Sequence, residues 1–196
     1  MSDSLNVEYI PGERLYTVQN GGLIVHRMLE HFQKDPSRWL FKLDTDTCVH
    51  RKFRYLPSGK LVFGTLRYET QGRGVPLDPP SVQGGCIGFT QKAASSMYES
   101  EIFKSPRLID YEKTYAKNVK DIIARAESGL VSFDFLVRYG YMELDIPIRD
   151  FEEVKSVWRG SIENSDLRYA VTHPHKELSV LGKFKKVLRT VKSYLS

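Results

Sequence analysis

The chain is poor in several features that would narrow its class at once. Of its 196 residues only two are cysteines, Cys48 and Cys86, and they form no CxxC pair. That excludes a disulfide-stapled scaffold and a thiol redox motif, and two reduced core thiols are expected. No apolar run reaches the roughly 18 residues that a membrane-spanning helix needs. The first residues, Met1-Ser-Asp-Ser-Leu-Asn, lack the basic start and apolar stretch of a secretory leader, so a cytoplasmic chain is expected. The charge excess is only +5, from 29 basic and 24 acidic residues. It is too local for a nucleic-acid footprint, and no such partner is expected. There is no internal repeat and no low-complexity block. What is present in quantity is apolar and aromatic residues, 41% and 12% with 11 Tyr and 10 Phe, enough to bury one sizeable core.

Periodicity divides the chain into elements. Residues 14–18 alternate as a short strand. Asn20-Gly21-Gly22 breaks the pattern, and residues 23–33 carry apolar groups at helical spacing (Leu23, Val25, Met28, Leu29, Phe32). Asp35-Pro36-Ser37 ends that helix. Residues 39–43, Trp-Leu-Phe-Lys-Leu, are nearly continuously apolar, which predicts a buried strand in a mostly parallel sheet. A strand over 60–66 precedes a Gly- and Pro-rich loop over 69–81. Residues 84–89 form a small-residue strand, and Thr90 caps a helix over 91–98. Further helices are expected over 111–126 and 133–144, and a late strand over 168–172. Residues 181–195 make a basic amphipathic helix.

The chemical signal is the acid pair that follows the Trp39–Leu43 run. Asp44 and Asp46 stand at i and i+2 where the strand ends, and a turn can aim both at one point. Two carboxylates so close repel unless a cation lies between them. Hard divalent ions take such oxygen ligands and accept phosphate oxygens beside them. The alternative is a pair of exposed turn aspartates, a common use of this residue.

The stretch Phe41-Lys42-Leu43-Asp44-Thr45-Asp46-Thr47 resembles the DxD motif of GT-A-type, nucleotide-sugar-dependent glycosyltransferases. The resemblance implies a mostly parallel central sheet flanked by helices, with a cation (Mn²⁺ or Mg²⁺) on Asp46 and a sugar or ribose contact at Asp44. Three later segments follow the family's order. The strand around Gly84 and Gly85 resembles its acceptor-side strand, where absent side chains let a sugar approach. Ser132-Phe133-Asp134-Phe135 resembles its xED segment and implies Asp134 as catalytic base, although Phe133 fills the place of the family's glutamate. Val171-Thr172-His173-Pro174-His175-Lys176 resembles its late histidine motif, implying His173 on the metal and Lys176 on the leaving diphosphate. An imidazole ligand favours Mn²⁺. Asn20 and Gly21 are read as the remnant of a loop close to the nucleotide.

The resemblance spans roughly residues 14–176. It divides the chain into a GT-A-like domain over 1–178, with a partial nucleotide-binding half over 1–47 and an acceptor-side half over 48–178, and an amphipathic helix over 179–196. With 43 residues before Asp44, a family member shortened at its N-terminus is expected, since one βαβ unit takes roughly 30 residues. The expected activity is metal-dependent transfer of a sugar, UDP-linked by the resemblance, to a hydroxyl of a glycan or lipid-linked acceptor.

Two other classes remain open. A haloacid-dehalogenase-type phosphohydrolase also ends a buried strand in DxDx(T/V), but Cys48 stands where Thr or Val is wanted and no downstream Asp-Asp pair follows. A non-catalytic binding module could use the tail, where Lys183, Lys185, Lys186, Arg189 and Lys192 face an anionic membrane surface; a helix packed on the core with solvated lysines is the plainer reading. His26 and His31 are read as core-edge or surface residues. His50, Arg51, Lys52 and Arg54 are either a phosphate-attracting cluster or a solvated loop. Trp158 is read as a core residue or a sugar-stacking platform.

Overall fold

The computed structural model describes residues 21–69, 76–105, 107–108, 133–157 and 168–173. The expected strand over 14–18, the helices over 111–126 and 181–195, and Asn20, Trp158 and Lys176 lie outside them.

Helix α1, Gly21–Gln33, places Val25, Leu29 and Phe32 on one face by their i, i+4, i+7 spacing, and all three are buried. Each contributes about 1.5–3 kcal/mol by leaving water. Gly21 and Gly22 are therefore the first turn of a helix and not a break before one. The backbone of Phe103 lies so close to Gly22 that no side chain fits there. Strand β1, Trp39–Leu43, follows, and then the two-residue strand β2, Cys48–Val49. Strand β3, Val62–Glu69, and the long strand β4, Pro76–Thr90, run antiparallel to each other. Helix α2, Gln91–Glu99, starts at Thr90, whose Oγ1 accepts from Ala93 N at 3.4 Å, as its sequence predicts. Helix α3, Phe133–Glu143, is followed by three short strands: β5, Ile148–Asp150; β6, Val154–Ser156; and β7, Val171–His173.

These strands form two small sheets, ordered β1-β4-β3-β5 and β2-β7-β6. In the first, only β3 and β5 run parallel; β1 pairs with β4 antiparallel, with Trp39 opposite Thr90 and Leu43 opposite Cys86. In the second, β2 and β7 are antiparallel, and β6 and β7 parallel. The expected mostly parallel, GT-A-like sheet is thus corrected: the described fold is mixed α/β with mostly antiparallel strands.

The reason lies in how β1 is covered. Leu40 packs with the helices, in a core built from Val25, Leu29, Phe89, Met97 and Val137 among others. Trp39 and Phe41 face the other way, into a second core of Phe63, Cys86, Phe151 and Val171. A continuous apolar run therefore reports two covered faces, not a parallel partner. Three layers result, with helices on one side of the larger sheet and the smaller sheet on the other. Residues 76–81, expected in a loop, belong to β4. There β4 pairs with β3 alone, so its prolines remove no ladder bond on the free side. Arg138 and Tyr141 of α3 donate to the carbonyls of Asp78, Pro79 and Pro80, holding this strand against the helix.

Among the described residues no helix is long and apolar enough to cross a membrane. Both cysteines are free thiols. Burial pushes the Cys86 thiol up to about 12, which keeps it protonated and inert.

A candidate metal site at the ends of β1 and β7

The turn after β1 is pinned to β4 through one carbonyl. Gly85 O accepts from Asp44 N at 3.1 Å and from Thr47 Oγ1 at 2.7 Å. Thr47 N donates to Asp44 O at 3.0 Å, which closes a four-residue turn with aspartate in its favoured first position. Asp44 and Asp46 are thereby aimed to one side of the strand end. The third member arrives from β7. His173 Nε2 lies 2.8 Å from Asp46 Oδ1 and 3.5 Å from Asp44 Oδ2. One ligand atom from each of the three residues falls within a 4.8 Å span.

Gly85 makes that approach possible. The His173 ring lies against it, where a Cβ would overlap Nδ1 and Cγ. The glycine is thus required for packing against a side chain of this protein. Gly84 is less constrained: a Cβ there would meet the Asp134 carboxyl at 3.5 Å, an ordinary contact.

Two carboxylates and one imidazole suit a divalent ion such as Mn²⁺ better than one restricted to oxygen ligands. Asp44 and Asp46 remain 39% and 50% exposed, so a ligand can complete a coordination shell from solvent. Lys42 stands two residues before Asp44, on the same face of the strand. Its Nζ contacts Asp44 Oδ1, donates to Gly84 O at 2.7 Å, and lies 5.0 Å from the centre of the Phe133 ring. That leaves Asp44 Oδ2 on the His173 side.

Asp134 opens α3 beside Gly84. Burial raises its carboxyl pKa above the ordinary aspartate value, and Arg67 of β3, with Nη2 3.6 Å from Oδ2, opposes that shift. Lys42, Asp44, Arg67, Gly84, Asp134 and His173 together line one cavity of about 150 Å³. Asp44, Asp46, Gly84, Gly85, Asp134 and His173, singled out in the sequence, thus lie together. Gly21 does not join them; it opens α1, on the helical side.

Lys42 and Arg67 were not assigned roles from the sequence. Lys42 had a usable signal in its i, i+2 spacing to Asp44. Arg67 had none, since nothing local sets it opposite a helix start more than sixty residues later.

The basic cluster after the acid pair has another use. Arg51 Nη1 lies 2.6 Å from Glu153 Oε2, and Arg54 Nε and backbone N donate to the same carboxylate. Arg51 also donates to Arg168 O, and His50 Nε2 lies 2.8 Å from Thr172 Oγ1. Glu153 is fully buried, and hydrogen bonds from Arg51 and Arg54 hold its pKa down at about 2. Arg51 and Arg54 are spent on this clasp. His26 is buried at the edge of the helical core, stacked on Tyr98 with centroids 4.9 Å apart.

No family model matches the chain, and no curated protein matches it in sequence.

Proposed function

We propose that the chain is a metal-dependent glycosyltransferase that holds the diphosphate of a nucleotide sugar at Asp44, Asp46 and His173 and passes the sugar to an acceptor hydroxyl. The convergence of four separated segments carries this reading. Asp44, Gly84, Gly85, Asp134 and His173 line one cavity, and Asp46 joins them through its contact with His173. The mostly antiparallel fold adds nothing to it, so the reading rests on the site alone.

Asp44, Asp46 and His173 would hold a divalent ion, which would supply positive charge for the departing diphosphate. The protein's own groups do the remaining work. Asp44 and Asp46 present their carboxylates in a fixed turn. Lys42 holds Oδ1 of Asp44, leaving Oδ2 for the ion, and adds a cation beside the leaving group. Asp134 takes the proton of the acceptor hydroxyl as the oxygen bonds to the sugar. A carboxyl pKa raised toward working pH favours that role. Lys176 is assigned to the diphosphate by its motif position.

Titration calorimetry with UDP tests the reading. UDP is expected to bind with Mn²⁺ present and to lose that binding in Asp46→Ala. Absence of heat at millimolar UDP, or unchanged binding in the variant, would count against it.

A second reading is favoured by cavity size. About 150 Å³ holds a diphosphate or one sugar ring but is smaller than the roughly 300–1,000 Å³ usual for small-molecule sites. A binding module without turnover would show the same Mn²⁺-dependent UDP binding, with no release of UDP from a UDP-sugar over hours.

A further inference from the structure

Arg67 is an incomplete ion pair. Its side chain is only 14% exposed, yet its one ionic contact among the described residues is Asp134 at 3.6 Å, too long for a hydrogen bond. Its Nε is buried and has no partner among those residues. A guanidinium carries five donors in a rigid planar fork, and leaving a buried one unmet costs stability. Elsewhere in the same molecule the fold satisfies arginines closely: Arg51 and Arg54 close on Glu153, and Arg138 closes on three backbone contacts. Arg67 differs from all three in lining the cavity.

The position of Asp134 says which ligand would meet it. Asp134 packs on Gly84, and His173 packs on the adjacent Gly85. The metal-side group and the proton-accepting group therefore flank one short piece of β4, with Arg67 on the Asp134 side. Any hydroxyl within reach of Asp134 belongs to a molecule that also lies against Arg67.

We propose that Arg67 reads an anionic group on the acceptor, so that the acceptor is an acidic sugar bearing a carboxylate or a phosphate near the reacting hydroxyl. This rests on the transferase reading, in which the acceptor sits at Asp134. A planar carboxylate or a phosphate oxygen pair fits the fork in two-point fashion, and a turn of the Arg67 side chain into the cavity would bring its buried Nε to that acceptor. It also offsets the second positive charge that Arg67 would otherwise add beside the cation site. Arg67 is here a specificity residue and takes no part in proton transfer.

The test is a titration of the full, isotope-labelled chain followed by NMR at the Arg67 Nε–H signal, assigned by its loss in Arg67→Gln. The ligands are glucuronate, glucose 6-phosphate and uncharged glucose, each with and without Mg²⁺. Glucuronate or glucose 6-phosphate is expected to shift that signal saturably while glucose does not, and whichever anion acts identifies the group. Arg67→Gln is expected to weaken the active anion by about tenfold or more, and Arg67→Lys by less. The inference is overturned if neither anion moves the signal, if glucose moves it equally, or if Arg67→Gln keeps the wild-type affinity. Should Arg67→Gln fail to fold, the wild-type titration and Arg67→Lys decide alone. The Mg²⁺ arm separates the two readings. If Mg²⁺ leaves the His173 ring signals unmoved and Mn²⁺, added last, leaves them unbroadened while an anion still saturates Arg67, the metal-dependent reading fails and the anion site stands.

Discussion

Two regions of this molecule set carboxylates beside guanidinium groups, and they hold them in opposite ways. At the clasp, Glu153 is fully buried and takes hydrogen bonds from Arg51, at 2.6 Å, and from Arg54. Its pKa is held down at about 2. In the cavity, Asp134 has a single arginine at 3.6 Å, and burial raises its pKa. Both places pair a carboxylate with guanidinium, and geometry separates them. Where donors close on the carboxylate, the charge is spent on tying a loop to the smaller sheet. Where they stop short, both partners keep capacity for something from outside.

The largest expected effect breaks the closed side. Glu153→Gln keeps the shape and removes the charge, and should lower unfolding free energy by about 3 kcal/mol. That is the lower end for a broken buried pair, because Arg51 and Arg54 still reach water. Its pH dependence has a definite sign. The folded pKa is depressed, so the charge stabilises above the ordinary glutamate value and that contribution fades as pH falls through about 2. Denaturant melts should show the gap between wild type and variant wide at pH 7 and narrower at pH 3.

Gly85→Ala strikes the open side through packing. The new methyl overlaps the His173 ring, which must swing away or push β7 outward. A cost of about 1–3 kcal/mol is expected, with loss of most Mn²⁺ affinity. A variant that keeps wild-type Mn²⁺ affinity would show that His173 is not a ligand.

Lys42→Met sharpens the contrast with a gain. Lys42 competes for Asp44, and removing a like charge near a bound cation is worth about 1 kcal/mol at 4 Å in water. Mn²⁺ should bind roughly fivefold tighter by that figure, with the difference shrinking in high salt. The smallest effect is on Asp134. Its folded pKa is raised, so its ionised form costs stability once pH exceeds that value. Asp134→Asn should therefore gain stability relative to wild type, more at pH 8 than at pH 4, and under the proposed function it should abolish sugar transfer.

The sequence made local features legible where one residue type has one dominant local role. The Thr90 cap, the i, i+4, i+7 face of α1 and the start of α3 at Phe133 follow from side-chain spacing and hydrogen-bonding capacity alone. Strand pairing was not legible, because Trp39, Leu40 and Phe41 are apolar whether a sheet is parallel or merely covered on both faces. The first residues of β4 read as loop, since prolines at 79 and 80 are tolerated only where a strand has one neighbour, and that depends on the sheet order. The candidate site was half legible. Asp44 and Asp46 announce themselves by spacing, and His173 by its place after a short strand. Arg67 and the diversion of Arg51 and Arg54 into the clasp are properties of the tertiary fold only.

The proposed function requires that the acid turn and the β7 histidine grip one cation together. Mn²⁺ titration followed by electron paramagnetic resonance tests it directly, on wild type, Asp46→Asn, His173→Ala and, as a control, Glu153→Gln. The account predicts one saturable site in wild type and in the control, weakened on the order of a hundredfold by either site variant, at least as much as loss of an outer-shell partner costs. Free Mn²⁺ signal throughout the wild-type titration, or equal binding in all four proteins, would contradict it.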